Sequence, residues 1–207
     1  PKELFHQLGD MGFMGIVIPE EYGGSGLGYH EYVAILDEIS QVDPSIGLSV
    51  AAHNSLCTNH IYEFGNEEQR NKWLPQLATG KVIGAWGLTE HNTGSDSGGM
   101  STTAVKDGDE WIVNAQKVWT TLAHVSRFGL LVVRTDTEAV KHAGLTAMVV
   151  DMKAAGVETR PLRQMTGEAE FNEVFFTDAR VPVAATLGKP GDGWRVSLTT
   201  LMNERVA

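Results

Sequence analysis

The chain has 207 residues, of which 42% are hydrophobic and 20% are charged, as in globular proteins and unlike disordered or fibrous ones. Its formal net charge at pH 7 is −10, and the sequence shows no stripe of basic residues. Both features argue against a nucleic-acid-binding surface. The apolar runs fall far short of the roughly 20 residues that cross a bilayer, and a single cysteine, Cys57, excludes an internal disulfide framework and favours a reducing compartment.

The first part of the chain has helical periodicity. Apolar residues recur three and four positions apart between 29 and 40, which predicts an amphipathic helix. A second, more buried helix is predicted over 45–63. Asn66 is suited to cap a third helix over 67–77, and we expect Pro75 to stop or kink that helix.

From about residue 100, short β-rich runs alternate with turn signals. Runs at 101–105 and 111–114 flank Asp107-Gly108-Asp109 and predict a hairpin. Strands at such spacing favour an antiparallel barrel or sandwich. Further strands are predicted at 118–121, 128–134, 146–151, 157–161 and 173–177.

The predicted fold class is therefore α+β. An N-terminal α-helical domain is expected over 1–84 and an antiparallel β-barrel or sandwich middle domain over 85–188. Residues 189–207 are expected to begin a C-terminal helical domain. Because the sequence lacks an initial methionine and stops within a helical pattern, we expect it to be a piece of a longer protein, inactive by itself.

A polar loop, Leu-Thr-Glu-His-Asn-Thr-Gly-Ser-Asp at 88–96, joins the two halves. Its hydroxyls and amides can donate to anionic or carbonyl oxygens, such as a phosphate or the pyrimidine edge of a flavin. On composition alone, a solvated connecting turn is the commoner explanation.

A second motif, Gln-Lys-Val-Trp-Thr-Thr at 116–121, follows about 25 residues later. An indole beside two threonines on a strand can stack on a planar ring while the hydroxyls meet its heteroatoms. By itself, a half-buried strand with a core tryptophan explains this pattern better. The two motifs gain meaning if they converge in space around one planar ring.

The polar loop at 88–96 and the segment at 116–121, here called the tryptophan strand, together resemble the acyl-CoA dehydrogenase flavoproteins. Further similar segments occur in the order that the family shows, and the resemblance covers essentially the whole chain. They are Pro-Glu-Glu-Tyr-Gly-Gly at 19–24, Gly-Asn-Glu-Glu-Gln-Arg at 65–70, Leu-Pro-Gln-Leu-Ala-Thr-Gly at 74–80, Phe-Asn-Glu-Val-Phe-Phe at 171–176 and Arg-Val-Pro at 180–182.

The resemblance implies that FAD is the cofactor and that the β-domain binds it. Residues 86–95 would hold the isoalloxazine, with Leu88 and Thr89 bonding its edge and Ser95 between the flavin and the acyl-CoA. The implied cofactor-binding residues are Trp86, Gly87, Leu88, Thr89, Gly94 and Ser95 on one side, and Trp119, Thr120 and Thr121 on the other.

The implied reaction is α,β-desaturation of an acyl-CoA thioester. A carboxylate removes the α-proton and the β-hydride goes to flavin N5, while the protein supplies orientation and electrostatics. In most of the family the base lies in the C-terminal helical domain, but in some branches it occupies the position that matches Glu204. The adjacent Arg205 matches a position that contacts CoA. An electron-transferring flavoprotein is the implied acceptor, and a homotetramer or homodimer the implied full-length assembly.

The sequence departs from the family pattern at His91 and Thr93, where a proline and a small residue are usual. Both positions are expected in the outer turn of the loop, where they affect the shape of the pocket more than the binding of the cofactor. The implied location is the cytoplasm for a bacterial protein and the mitochondrial matrix for a eukaryotic one.

Several other patterns carry less weight. His53, Cys57 and His60 share a helix face, but no fourth ligand is evident, so we expect no metal. The glycine-rich run at 23–28 lacks the spacing of a dinucleotide loop and favours a turn. Two alternatives to the dehydrogenase stay open: an acyl-CoA oxidase or flavin monooxygenase of the same fold, and a non-catalytic binding module.

Overall fold

The computed structural model describes residues 2–204, without the side chains of Lys2, Leu201, Asn203 and Glu204. The described chain divides into two compact units, one containing residues up to 84 and those from 199, the other containing residues 85–198. Within the described part, no helix has the length and apolar character needed to span a membrane.

The first unit is helical. Asp43 begins α3 because its carboxylate accepts from the Ser45 and Ile46 amides, and Pro44 occupies the first turn. Asn66 caps α5 as predicted, with Gln69 completing a capping box. The helices are α1 Lys2–Asp10, α2 Tyr29–Val42, α3 Pro44–Ala52, a π-helical turn His53–Thr58, α4 Asn59–Phe64 and α5 Glu67–Ala78, with a 3₁₀ turn at Glu20–Tyr22.

The helix predicted over 67–77 is α5, which ends at Ala78, three residues after Pro75. Pro75 lies in the last turn, and its missing N–H removes one intrahelical hydrogen bond there. Burial of Leu74 and Leu77 on either side holds the turn in place.

The predicted helix over 45–63 contains the π-helical turn, and His53 within it is completely enclosed. The Gly84 amide donates to Nδ1 of His53 at 3.1 Å, and Nε2 lies 3.1 Å from the Leu77 carbonyl oxygen. The first contact leaves the proton on Nε2, and burial lowers the pKa of His53 to about 4.

Among residues 2–204, no group of three or more His, Cys, Asp or Glu side chains is placed to hold a metal ion.

The second unit contains an eight-stranded, mostly antiparallel sheet. Its strand order is β6-β7-β3-β2-β4-β5-β8, an open path, and β1 pairs with β4; β2 and β4 form a parallel pair. The strands are β1 Gly84–Gly87, β2 Thr103–Asp107, β3 Glu110–Thr121, β4 Phe128–Arg134, β5 Leu145–Asp151, β6 Val157–Pro161, β7 Phe171–Pro182 and β8 Thr186–Leu187; 3₁₀ turns lie at Ser97–Gly99 and Val183–Ala185, and α6 Gly193–Glu204 follows.

The predicted order of a helical region followed by a β-domain is confirmed, with differences in individual strands. The segments predicted at 111–114 and 118–121 belong to one twelve-residue strand, β3. Its pairing with β7 shifts register twice, and such bulges break the alternating pattern from which strands are predicted. The short strands β1 and β8 were not predicted, because four and two residues carry too little periodicity.

A buried hydrogen bond joins two strands that are distant in sequence. The indole N–H of Trp111 on β3 donates to the Thr186 hydroxyl on β8 at 3.0 Å. Both side chains are buried, so the indole N–H has no access to bulk water.

We predict that Thr186→Val destabilises the protein by about 1–3 kcal/mol, because it leaves the Trp111 N–H buried without this acceptor. Thr177→Val, at an exposed position of β7, is the matched control and should change stability by less than about 0.5 kcal/mol. Urea denaturation measures both, and equal effects of the two substitutions would contradict the prediction.

Candidate functional site

The polar loop and the tryptophan strand lie side by side. The Val118 amide on β3 donates to the Thr89 carbonyl at 2.9 Å. One residue earlier, the Lys117 ammonium donates to the Leu88 carbonyl at 3.0 Å. The two segments singled out from the sequence are therefore hydrogen-bonded neighbours within the β-domain.

A two-residue turn shapes the loop. Glu90 and Thr93 exchange backbone hydrogen bonds of 3.1 and 3.2 Å, which places His91 and Asn92 at an exposed tip. His91 and Thr93, the two departures from the family pattern, were both expected in the outer turn. The expectation is confirmed for His91 and is wrong for Thr93. Thr93 is buried because it is paired to Glu90, and its hydroxyl has no partner within the described chain.

Glu90 anchors the loop to the start of β2. Its carboxylate accepts from the Ser101 amide and hydroxyl, both at 2.7 Å, and from the Thr102 amide at 3.0 Å. The Thr102 hydroxyl also donates to it. The Lys117 ammonium completes the shell at 2.8 Å. Glu90 and Lys117 lie within the two motifs, but neither their residue types nor their spacing predicts this ion pair.

The ion pair is almost fully enclosed, since the Lys117 side chain is 0% exposed and that of Glu90 2%. Burial raises the pKa of Glu90, but the Lys117 charge and the hydrogen bonds from Lys117, Thr102 and Ser101 outweigh it and hold that pKa at about 2. Burial lowers the pKa of Lys117 to about 8, an effect that the Glu90 carboxylate opposes. Both groups are charged at neutral pH.

Trp119 projects from a bulge in β3. Between the pairs Lys117–Val174 and Thr120–Asn172, β3 has two residues and β7 has one, so the ladder is locally offset. Trp119 has φ of 59°, a left-handed conformation that is rare for a bulky residue and costs about 1–3 kcal/mol. Its side chain is 60% exposed and touches the Phe171 ring edge-on, with centroids 6.0 Å apart.

The two threonines after Trp119 differ in their surroundings. Thr120 is buried and its hydroxyl has no partner within the described residues. Thr121 is half-buried and pairs with Phe171 across the ladder. Asn172 fixes this segment, because its buried amide donates to the Thr120 carbonyl at 3.1 Å and to the Glu170 carbonyl at 2.9 Å.

The remaining predicted positions fall into two groups. Trp86 on β1 is half-buried, and Gly87 is enclosed so closely that a Cβ there would lie 3.2 Å from Leu131. Gly94 and Ser95 are exposed, and a Cβ on Gly94 would meet nothing within 4 Å.

The two residues predicted in the last helix cannot be placed in the site. Glu204 ends α6, but its side chain lies outside the described residues, as does Arg205 altogether.

Comparison with known proteins identifies the family. The family model for the acyl-CoA dehydrogenase N-terminal domain matches residues 1–81, and the model for the acyl-CoA dehydrogenase middle domain matches residues 85–179. The chain belongs to the acyl-CoA dehydrogenase family. The resemblance inferred from its motifs is thereby confirmed.

Individual acyl-CoA dehydrogenases agree with this assignment. Acyl-CoA dehydrogenase IpdE1 of Mycobacterium tuberculosis is 41% identical over 90% of this chain and 48% of its own length. The acyl-CoA dehydrogenase structure from Geobacillus kaustophilus matches with a TM-score of 0.94 and 35% identity, over 99% of this chain and 55% of that one. A glutaryl-CoA dehydrogenase from Mycobacterium smegmatis in complex with FADH2 matches with a TM-score of 0.89 and 30% identity, over 99% and 52%. The chain spans about half the length of the curated relatives it matches.

We predict that Glu90→Gln destabilises the protein at pH 7 by about 3–5 kcal/mol, because it leaves Lys117 enclosed without its counter-ion. The pKa of Glu90 in the folded protein lies below its ordinary value, so its contribution is complete above pH about 4.5 and is lost as pH falls towards 2. The stability difference between wild type and variant should therefore shrink as pH falls below about 4.5.

Urea denaturation between pH 7 and pH 3 measures this difference. Glu138→Gln removes an exposed carboxylate of the same unit and serves as the control, with an expected change below about 0.5 kcal/mol. A Glu90→Gln penalty that is absent at pH 7, or that grows on acidification, would show that the ion pair is not stabilising.

Proposed function

We propose that this chain is the helical and flavin-binding part of an FAD-dependent acyl-CoA dehydrogenase, which desaturates an acyl-CoA thioester between its α and β carbons. The observation that carries the proposal is the direct contact between the polar loop and the tryptophan strand, at Thr89–Val118 and Leu88–Lys117. Family membership supplies the chemistry, and this contact supplies a site for it.

The residues at this contact fit an isoalloxazine ring. The amides of Leu88 and Thr89 donate to no acceptor within the described chain, and they can serve the polar edge of a pyrimidine ring. Trp119 offers an exposed aromatic surface beside the half-buried hydroxyl of Thr121. An indole at a strained backbone position, more than half exposed and with one ring neighbour edge-on, suits a planar partner.

Each group has a distinct proposed role. The Leu88 and Thr89 amides hold the edge of the ring, while Trp86, Trp119 and Thr121 set its position and exclude water. FAD, when bound, supplies the hydride acceptor. The exposed hydroxyl of Ser95 faces the substrate side.

The base and the CoA contact are proposed for the end of α6. Glu204 would remove the α-proton, and Arg205 would bind the CoA moiety. A glutamate in a mostly apolar pocket needs a raised pKa to act as a base near neutrality.

We further propose domain limits of 1–84, 85–188 and 189–207, the last opening a C-terminal helical domain in the complete protein. The complete protein would act as a homodimer or homotetramer and would pass electrons to an electron-transferring flavoprotein. These assignments extend the family relationship beyond the chain, which spans about half the length of its curated relatives.

The decisive experiment uses the protein at its natural full length. Absorbance near 450 nm in the purified protein, bleached anaerobically by a series of acyl-CoA thioesters, is the expected result. Turnover should require an electron-transferring flavoprotein or an artificial acceptor. A protein that stays colourless after incubation with FAD would contradict the proposal, and aerobic peroxide release without an acceptor would replace the dehydrogenase by an oxidase.

We predict that Trp119→Ala weakens FAD binding by about tenfold, since aromatic stacking contributes about 0.5–1.5 kcal/mol beyond the area it covers. Val105→Ala removes a side chain that is 66% exposed, close to the 60% of Trp119, and should leave the FAD dissociation constant unchanged. Equilibrium titration of the apoprotein with FAD measures both variants. Equal affinities in wild type and Trp119→Ala would remove Trp119 from the site.

We predict that Glu204→Gln in the full-length protein retains the flavin spectrum but loses at least about 100-fold in turnover, the usual contribution of a general base. Glu68→Gln, which removes an exposed helix carboxylate, is the control and should keep wild-type turnover. Retained turnover in Glu204→Gln would exclude Glu204 as the base.

A further inference from the structure

The orientation of the buried ion pair between Glu90 and Lys117 is important for the proposed flavin site. The carboxylate of Glu90 is surrounded on the β2 side by four donors from Ser101 and Thr102. The ammonium of Lys117 points the other way, to the Leu88 carbonyl at 3.0 Å. The pair is therefore a dipole with its positive end on the peptide unit between Leu88 and Thr89.

That peptide unit is the one whose N–H faces the proposed cofactor edge. Its carbonyl belongs to Leu88 and its N–H belongs to Thr89. A cation bound to an amide oxygen draws electron density from the nitrogen and makes the N–H a stronger donor, because linked hydrogen bonds polarise one another. The neighbouring Thr89 carbonyl is fixed by Val118, so the polarised N–H has a set position.

We propose that Lys117 is a positioning residue that acts through the Leu88–Thr89 peptide unit to stabilise negative charge on the pyrimidine edge of the bound flavin. This inference rests on the proposed function, since it needs the Thr89 amide to face the ring. Reduced flavin carries more negative charge at that edge than oxidised flavin does. Lys117 thus favours the reduced form and raises the reduction potential without touching the ring.

The enclosure of Lys117 is what makes this effect large. Its side chain is 0% exposed, and its aliphatic part passes beside Gly87, where a Cβ would lie 3.6 Å from Cγ of Lys117. Solvent therefore does not screen the charge, as it does for surface lysines. Besides Leu88 and Glu90, the ammonium contacts the Met100 sulfur, at 3.9 Å.

The test is the two-electron reduction potential of FAD bound to the full-length protein carrying Lys117→Met. Methionine keeps the length of the side chain but not its charge, and Glu90 keeps four donors from Ser101 and Thr102. We expect the equilibrium between reduced and oxidised flavin to shift at least tenfold towards the oxidised form, which is about 30 mV for a two-electron couple. Sulfite affinity at flavin N5 should fall by a similar factor.

Lys106→Met removes an exposed lysine of β2 and is the control, expected to leave the potential unchanged. If Lys117→Met does not fold, as judged by circular dichroism, the neutral pair Glu90→Gln/Lys117→Met is measured with the same expected shift. An unchanged potential in a variant that holds FAD overturns the inference. A variant that folds but holds no FAD at saturating cofactor also overturns it, because the role would then be structural.

The two proposals fail in different ways. A wild-type protein that binds no FAD, or whose flavin no acyl-CoA reduces, contradicts the proposed function. A wild-type flavoprotein that acyl-CoA reduces, with a potential insensitive to Lys117, contradicts only the role of Lys117.

Discussion

The enclosed ion pair between Glu90 and Lys117 is the contact on which the geometry of the candidate site depends most. It connects the polar loop, the start of β2 and the middle of β3 at one point. Burial of two charges costs several kcal/mol per ion and is recovered only when hydrogen bonds complete both shells. Here the carboxylate has five donors, so the loop has one well-defined position against β3.

Backbone strain in β3 is the second feature of the site. It destabilises the folded state, whereas the ion pair stabilises it. The bulge turns Trp119 out of the sheet in a left-handed conformation, and Leu122 follows with φ of 54°. Two bulky residues in this region within four positions are costly. The ladder to β7 and the Asn172 amide hold the segment between them. Lys117 of the stabilising ion pair and the strained Trp119 thus lie within three residues of each other on one strand.

The two motifs and the order of the helical and β regions could be recognised from the sequence, because periodicity and local residue chemistry carry that information. The sequence did not predict the role of Glu90 and Lys117, whose importance depends on burial and on contacts across 27 positions of chain. It also placed Thr93 in the outer turn of the loop, since the pairing of Thr93 with Glu90 leaves no trace in composition. The bulge at Trp119 was hidden for a related reason, because an offset of one residue breaks the alternation by which strands are recognised.

We propose that the polar loop and the tryptophan strand hold one planar ring between them. A crystal structure of the full-length protein purified with FAD tests it most directly. We expect isoalloxazine density in contact with the Thr89 amide on one side and the Trp119 indole on the other. Flavin density elsewhere in the protein, or side chains packed between Thr89 and Trp119 in the holoprotein, would contradict it.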